Sequence, residues 1–176
     1  MNRLSDPYST EDSLAGVRAG LDRCLAHAAD PARLDTVTLG VSAWSVRDHL
    51  EHLFLADRHV LVWVVDALSR PNPEARAHLP HEIGVSLLAY GSIPRGRGPA
   101  PEFTRPAGLE RADLQDGFRE LRGLGARLAL QAAELDACRH TQPHHVLGHF
   151  TPAEWLRFLH LHHRHHEAII RDILAA

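Results

Sequence analysis

Residues 151–176 constrain the fold more than any other part of this sequence. Thr151-Pro152-Ala153-Glu154 reads as a capping box with proline at the first helical position, so a helix opens there and runs almost to the C-terminus. At about 100° per residue, Trp155, Leu159, His162, His166, Ile169 and Ile173 all fall within about 40° of one line. That stripe must pack inward, and its centre is two imidazoles. His163 and His165 lie about 80° to either side, and His160 points away.

An unpaired buried polar group costs roughly 1–3 kcal/mol, so His162 and His166 need partners. Their i, i+4 spacing puts both rings on one side of adjacent turns, close enough to share a metal ion. The segment reads His-His-Arg-His-His rather than HExxH, which excludes a zincin-type protease. The competing interpretation is a solvated helix face in a histidine-rich chain. Fifteen of the 176 residues are histidine, and they cluster: five between His160 and His166, three more at His49, His52 and His59.

Three earlier segments carry the same periodicity. The first spans about Glu11 to Ala29, capped by Ser9 or Thr10 and closed by Asp30-Pro31. The second opens at Ser45, paired with Asp48 in a capping-box-like arrangement, and continues to about Ser69. The third runs from about Glu110 to Leu135, with Gly117, Gly123 and Gly125 weakening its centre. Between the second and third lies a Pro- and Gly-rich connection, Pro71 to Gly108, with a short helix predicted around Glu82 to Leu88. A loop from Asp136 to Phe150 precedes the last helix, and no segment alternates long enough to predict a sheet. The expected fold is all-α: a four-helix bundle with a long irregular connection between helices 2 and 3, as one domain over residues 1–176.

A third ligand would come from the second helix. Its apolar stripe centres on Leu50, Leu53, Val60 and Val64; His49 lies about 60° from that centre and His52 about 120°. Periodicity slightly favours His49. His59 is two turns from His52, roughly 10 Å along the axis, so those two cannot share one ion.

Charge narrows the partners. The formal net charge is -3 with no long run of one sign, and every basic side chain is arginine or histidine. That leaves no basic face for nucleic acid and no polybasic membrane patch. The apolar stretch Val60 to Leu68 is too short to span a bilayer, and MNRLSDPYSTEDSL lacks the apolar core of a signal peptide. A cytoplasmic protein is expected, with Cys24 and Cys138 unpaired. Neither cysteine has an identifiable His and Asp partner in the sequence, which weighs against a Cys-His enzyme. Leu55, Val62 and Trp63 exceed what one stripe of the second helix accommodates, which leaves a homodimer open.

Trp44-Ser45-Val46-Arg47-Asp48-His49-Leu50-Glu51-His52-Leu53 resembles the start of the second helix in the DinB/YfiT-like superfamily of metal-binding four-helix bundles. Leu147-Gly148-His149-Phe150-Thr151-Pro152-Ala153-Glu154-Trp155-Leu156-Arg157-Phe158, followed by His162-His163-Arg164-His165-His166, resembles the final helix of one DinB-like branch still more closely. The resemblance implies that one divalent metal ion is held by His52, His162 and His166, with His52 chosen over His49 by its distance from Trp44; imidazole ligation suits Zn, Ni or Fe, and copper as well. The family often has Gln after the HxxxH segment where this chain has Ile169. Some members resemble thiol-dependent transferases and isomerases, so the resemblance further implies a low-molecular-weight thiol as a second cofactor, activated for transfer to an electrophilic small-molecule substrate.

Three neutral imidazoles leave a coordination position open, which suits either that chemistry or metal-assisted hydrolysis. Hydrolysis needs a general base, for which Asp48, Glu51, Asp57 and Glu167 are candidates by proximity. Arg95, Arg97 and Arg105 could hold substrate carboxylates. The rival is a non-catalytic metal-binding stress-response protein; the sequence identifies no catalytic residue and leaves enzyme and non-enzyme both open.

Overall fold

A computed structural model of the chain describes residues 9–96 and 100–176. It is mostly helical. α1 (Thr10–Ala29) starts at a capping box in which Ser9 and Asp12 satisfy each other's backbone amides, and Asp30 ends it. Asp30 also caps the single turn α2 (Pro31–Leu34). α3 (Val46–Ser69) and α7 (Pro152–Ala175) open on the boxes expected at Ser45–Asp48 and Thr151–Glu154. Each box satisfies amides that would otherwise be orphaned at a helix start, an effect typically worth about 1 kcal/mol per cap.

Four long helices enclose the core. α1 lies along both α7 and α5 (Arg111–Leu128), and α3 lies along the same two neighbours, while α1 and α3 barely touch. Leu14, Val17 and Leu21 of α1, Leu50, Leu53, Val60 and Val64 of α3, Leu114, Phe118 and Leu121 of α5, and Leu156, Leu159, Ile170 and Ile173 of α7 form one buried cluster. Fully burying such a side chain stabilises by about 1.5–3 kcal/mol. On α3, Val62 is exposed, whereas Leu55 is half-buried and Trp63 packs against the core.

The third helix departs from expectation. The α-helix stops at Leu128, a 3-10 turn covers Ala129–Gln131, and α6 (Ala132–Ala137) follows. The break comes after the three glycines rather than at them. Gly117 serves packing instead: a Cβ there would fall 2.3 Å from the Phe54 ring. The turn redirects α6 onto the start of α1, where Leu135 is buried and the Thr10 hydroxyl donates to Asp136.

The connection is partly ordered by its own elements. α4 (Glu82–Tyr90) stands where the short helix was expected, ended by Gly91 at φ 70°. A 3-10 turn, Glu102–Thr104, packs against α3. Against the expectation of no sheet, β1 (Gln142–His144) and β2 (Gly148–Phe150) form an antiparallel hairpin, with Pro143 opposite His149. Three-residue strands are too short to show alternation in sequence. The hairpin docks on the connection through His81 N–H to Leu147 O at 2.8 Å and His149 N–H to Leu79 O at 3.1 Å. Arg76 then grips Glu154 with two bonds of 2.9 and 2.7 Å, fixing the first turn of α7. Among the described residues no helix is long and apolar enough to cross a membrane.

Candidate metal centre

Because α3 starts at Ser45, His49 and His52 fall in its first two turns, opposite the middle of α7. Asp48 Oδ2 accepts from Ser45 N at 2.9 Å, so the helix begins at a defined residue and the rings inherit a defined direction. His52 Nε2 and His166 Nε2 each lie 3.1 Å from His162 Nε2. The three side chains are buried, at 6%, 6% and 8% exposure, with ligand atoms all within 4.8 Å of one another. Imidazole nitrogens bound at 2.0–2.1 Å to one tetrahedral metal sit about 3.3 Å apart. Two of the three pairs, both through His162, are already close to that spacing, and the third lies within 4.8 Å.

The outer nitrogens test the fit. His52 Nδ1–H donates to the Thr104 carbonyl at 2.8 Å, which turns the Nε2 lone pair inward. His166 Nδ1 faces His49 Nδ1 at 2.9 Å, and His49 Nε2 faces Ser42 Oγ at 3.0 Å. His162 Nδ1 is buried without a hydrogen-bond partner among the described residues; its ring stacks on Phe158 at 5.5 Å. The indole of Trp44 covers His49 and His52, with centroids 5.4 and 5.2 Å away.

Burial lowers the pKa of all four imidazoles. His162 and His166 are pushed well below the usual histidine range, first by desolvation and then by neighbouring imidazoles; His52 is lowered by desolvation, and His49 falls to about 4 for the same reason. The cluster is therefore neutral at physiological pH and offers lone pairs, the form in which imidazole ligates divalent metals. These residues fit a metal ion.

His52, His162 and His166 thus come together as the resemblance implied. His49, which periodicity slightly favoured, stands behind His166 and touches its outer nitrogen. The four candidate bases are all engaged elsewhere. Glu51 is buried and accepts three backbone N–H groups, from Ala107 at 2.7 Å and from Gly108 and Leu109 at 2.9 Å. Asp48 closes the helix cap, and Glu167 pairs with His27 and Arg23. Asp57 Oδ2 lies 2.9 Å from His163 Nε2, an ionic approach without hydrogen-bond geometry. Arg95 pairs with Asp172 and Arg105 with Glu102, while Arg97 lies outside the described residues.

Sequence reasoning missed the group on the other side of His163, where Cys24 Sγ lies 3.8 Å from Nδ1. Gly20 makes room for this ring, since a Cβ there would meet it at 2.4 Å. Burial, reinforced by the charge of Asp57, raises the Cys24 pKa well above the usual thiol range, so the sulfur stays protonated and shielded from solvent. Cys138 is also free and buried.

A cavity of about 490 Å³ opens beside the centre, lined by Trp44, Asp48, Ala100, Arg105 and Pro106. Trp44 is shared between this cavity and the histidine cluster. No protein-family model, curated protein or solved structure matches this chain.

Proposed function

We propose that this chain is a DinB-like four-helix bundle that holds one divalent metal ion through His52, His162 and His166 and uses it to activate a small thiol for transfer to an electrophilic substrate. The observation that carries this reading is the convergence of three neutral, buried Nε2 atoms at 3.1 Å steps. A divalent ion on three imidazoles keeps its full charge and an open position, and there it lowers the pKa of a thiol or water. No carboxylate belongs to the cluster among the described residues, which favours an anion as the remaining ligand.

The chain's own residues do the rest. Thr104 aims His52, Phe158 and Trp44 keep bulk water from the rings, and the cavity beside Trp44 offers a small molecule a place between Asp48 and Arg105, the latter already paired with Glu102. Metal-assisted hydrolysis is the weaker enzymatic version, because Asp48, Glu51, Asp57 and Glu167 are all engaged elsewhere. A non-catalytic metal-binding protein is the second reading, favoured by the low exposure of all three rings. In either reading the partners are small molecules rather than nucleic acid or a membrane, the compartment is the cytoplasm, and the exposed Val62 side of α3 is the face for a second copy.

The test is elemental analysis of protein purified without an affinity tag, with His52→Ala and His166→Ala alongside. About one equivalent of zinc, nickel or iron in the wild type, lost in both variants, is the expected result. In cobalt-substituted protein an added thiol is then expected to produce a sulfur-to-metal charge-transfer band. Bound metal without that band would leave the non-catalytic reading standing. Metal-free protein that takes up no zinc, nickel or iron would overturn both.

A further inference from the structure

Two of the three histidines are held from behind, and the two holders differ in kind. Behind His52 stands a backbone carbonyl, which only accepts, so that tautomer has one solution. Behind His166 stands another imidazole, and behind that a hydroxyl, both of which donate or accept. The Ser42–His49–His166 chain therefore has two polarities. In one, Ser42 donates, His49 Nδ1–H points at His166, and His166 turns an N–H toward the cluster. In the other, Ser42 accepts, His166 Nδ1–H points at His49, and His166 turns a lone pair toward the cluster.

The inner geometry selects between them. His162 Nε2 lies 3.1 Å from both His52 Nε2 and His166 Nε2, and Thr104 makes His52 an inward lone pair. If a metal joins the three, His166 ligates through a lone pair. Without metal, His162 carries its proton on Nε2, because its buried Nδ1 has no partner among the described residues to receive an N–H and a proton on Nδ1 would leave the His52 and His162 lone pairs face to face. That proton points at His52, and an N–H on His166 would then face an N–H at 3.1 Å. Both cases require the second polarity. The far end permits it, since Ser42 Oγ has two lone pairs and uses one of them to accept from Trp44 N at 3.0 Å.

We propose that His49 is a positioning residue: it accepts the Nδ1–H of His166, passes the polarity on to Ser42 through its own Nε2–H, and so keeps the Nε2 lone pair of His166 aimed into the cluster. His49 is not a ligand. It does for α7 what Thr104 does for α3. An outer partner of this kind fixes ring orientation and raises ligand basicity, and losing one typically costs about 10–100-fold in metal affinity.

Long-range 1H–15N correlation spectra of the imidazoles test this directly. In metal-free wild-type protein the expected tautomers are Nδ1–H for His52 and His166 and Nε2–H for His49, unchanged when zinc is added. A His166 signal of the Nε2–H type would overturn the proposal. Zinc affinity supplies the second readout. His49→Phe, which leaves His166 without an acceptor, is expected to lose about 10–100-fold. His49→Asn, which places Oδ1 where the ring nitrogen stands, is expected to recover it. Equal affinity in Phe, Asn and wild-type proteins would remove His49 from the site's machinery. The affinity half rests on the three-histidine reading, but the tautomers are read without metal. A chain that never takes up zinc would sink that reading and leave the His49 assignment to be judged on its own.

Discussion

Two interfaces of this molecule exclude water with opposite materials. Where α1 faces α5, the buried side chains are mostly aliphatic or aromatic: Leu14, Val17 and Leu21 from one, Leu114, Phe118, Leu121 and Leu128 from the other. Where α3 faces α7, the buried set includes His49, His52, Asp57, His162, His163 and His166. The first kind of contact needs close packing but no directional partner for each atom. The second is favourable only when each polar atom meets a partner, because a buried donor or acceptor left alone costs about 1–3 kcal/mol. The aliphatic side therefore supplies stability, and the polar side specifies how α3 and α7 are rotated against each other. Asp57 and His163 mark the same division one turn from the cluster, joining the two helices through a fully buried pair.

The largest effect should fall on the aliphatic side. Phe118→Ala removes a fully buried ring from the α5 face and is expected to cost about 3–5 kcal/mol in urea unfolding, while zinc affinity measured in the folded protein stays at the wild-type value. A change in affinity would mean that the two interfaces are not separable.

Acid should act on the other side. The folded-state pKa of His49 is lowered from 6.5 to about 4, and those of His52, His162 and His166 are lowered as well. Between those values the unfolded chain binds more protons than the folded one. Stability is therefore complete above about pH 6.5 and falls as pH drops toward 4, with His49 alone accounting for about 3 kcal/mol across that window. Urea midpoints of chelator-treated protein at several pH values should show this slope. A flat profile between pH 7 and 4.5 would mean that the imidazoles are not held neutral by burial.

The smallest of the three concerns Glu51→Gln, which replaces a carboxylate receiving three N–H groups by an amide with one acceptor. A loss of about 1.5–3 kcal/mol is expected, along with faster amide exchange at Ala107, Gly108 and Leu109. Unchanged exchange would show that the segment is held by something other than this carboxylate.

The helices were legible because their starts are chemically marked. Ser9, Ser45 and Thr151 cap where expected, and the inward line from Trp155 to Ile173 placed His162 and His166 correctly. The second helix misled for a physical reason. Periodicity looks for the side that faces other helices, yet His52 is also covered by the 3-10 turn at Thr104, about 120° from the aliphatic stripe. No window of sequence reports that a distant loop will return to cover it. The break at Ala129 and the hairpin at Gln142–Phe150 escaped for a related reason, since both are decided by docking on α1 and on the connection rather than by local propensity. Glu51 looked like a base by proximity alone; its three amide partners lie more than fifty residues away.

Consecutive residues of α3, Glu51 and His52, grip residues 104–109 from the same helical turn, one through three amides and the other through a carbonyl. For protein engineering this divides the connection into parts with different anchors. Arg76, Leu79 and His81 are tied instead to the hairpin and to the first turn of α7, and belong with that side of the bundle. Thr104 to Leu109 must travel with α3 in any transplant, as a six-residue clasp without which His52 would arrive in a new scaffold unaimed.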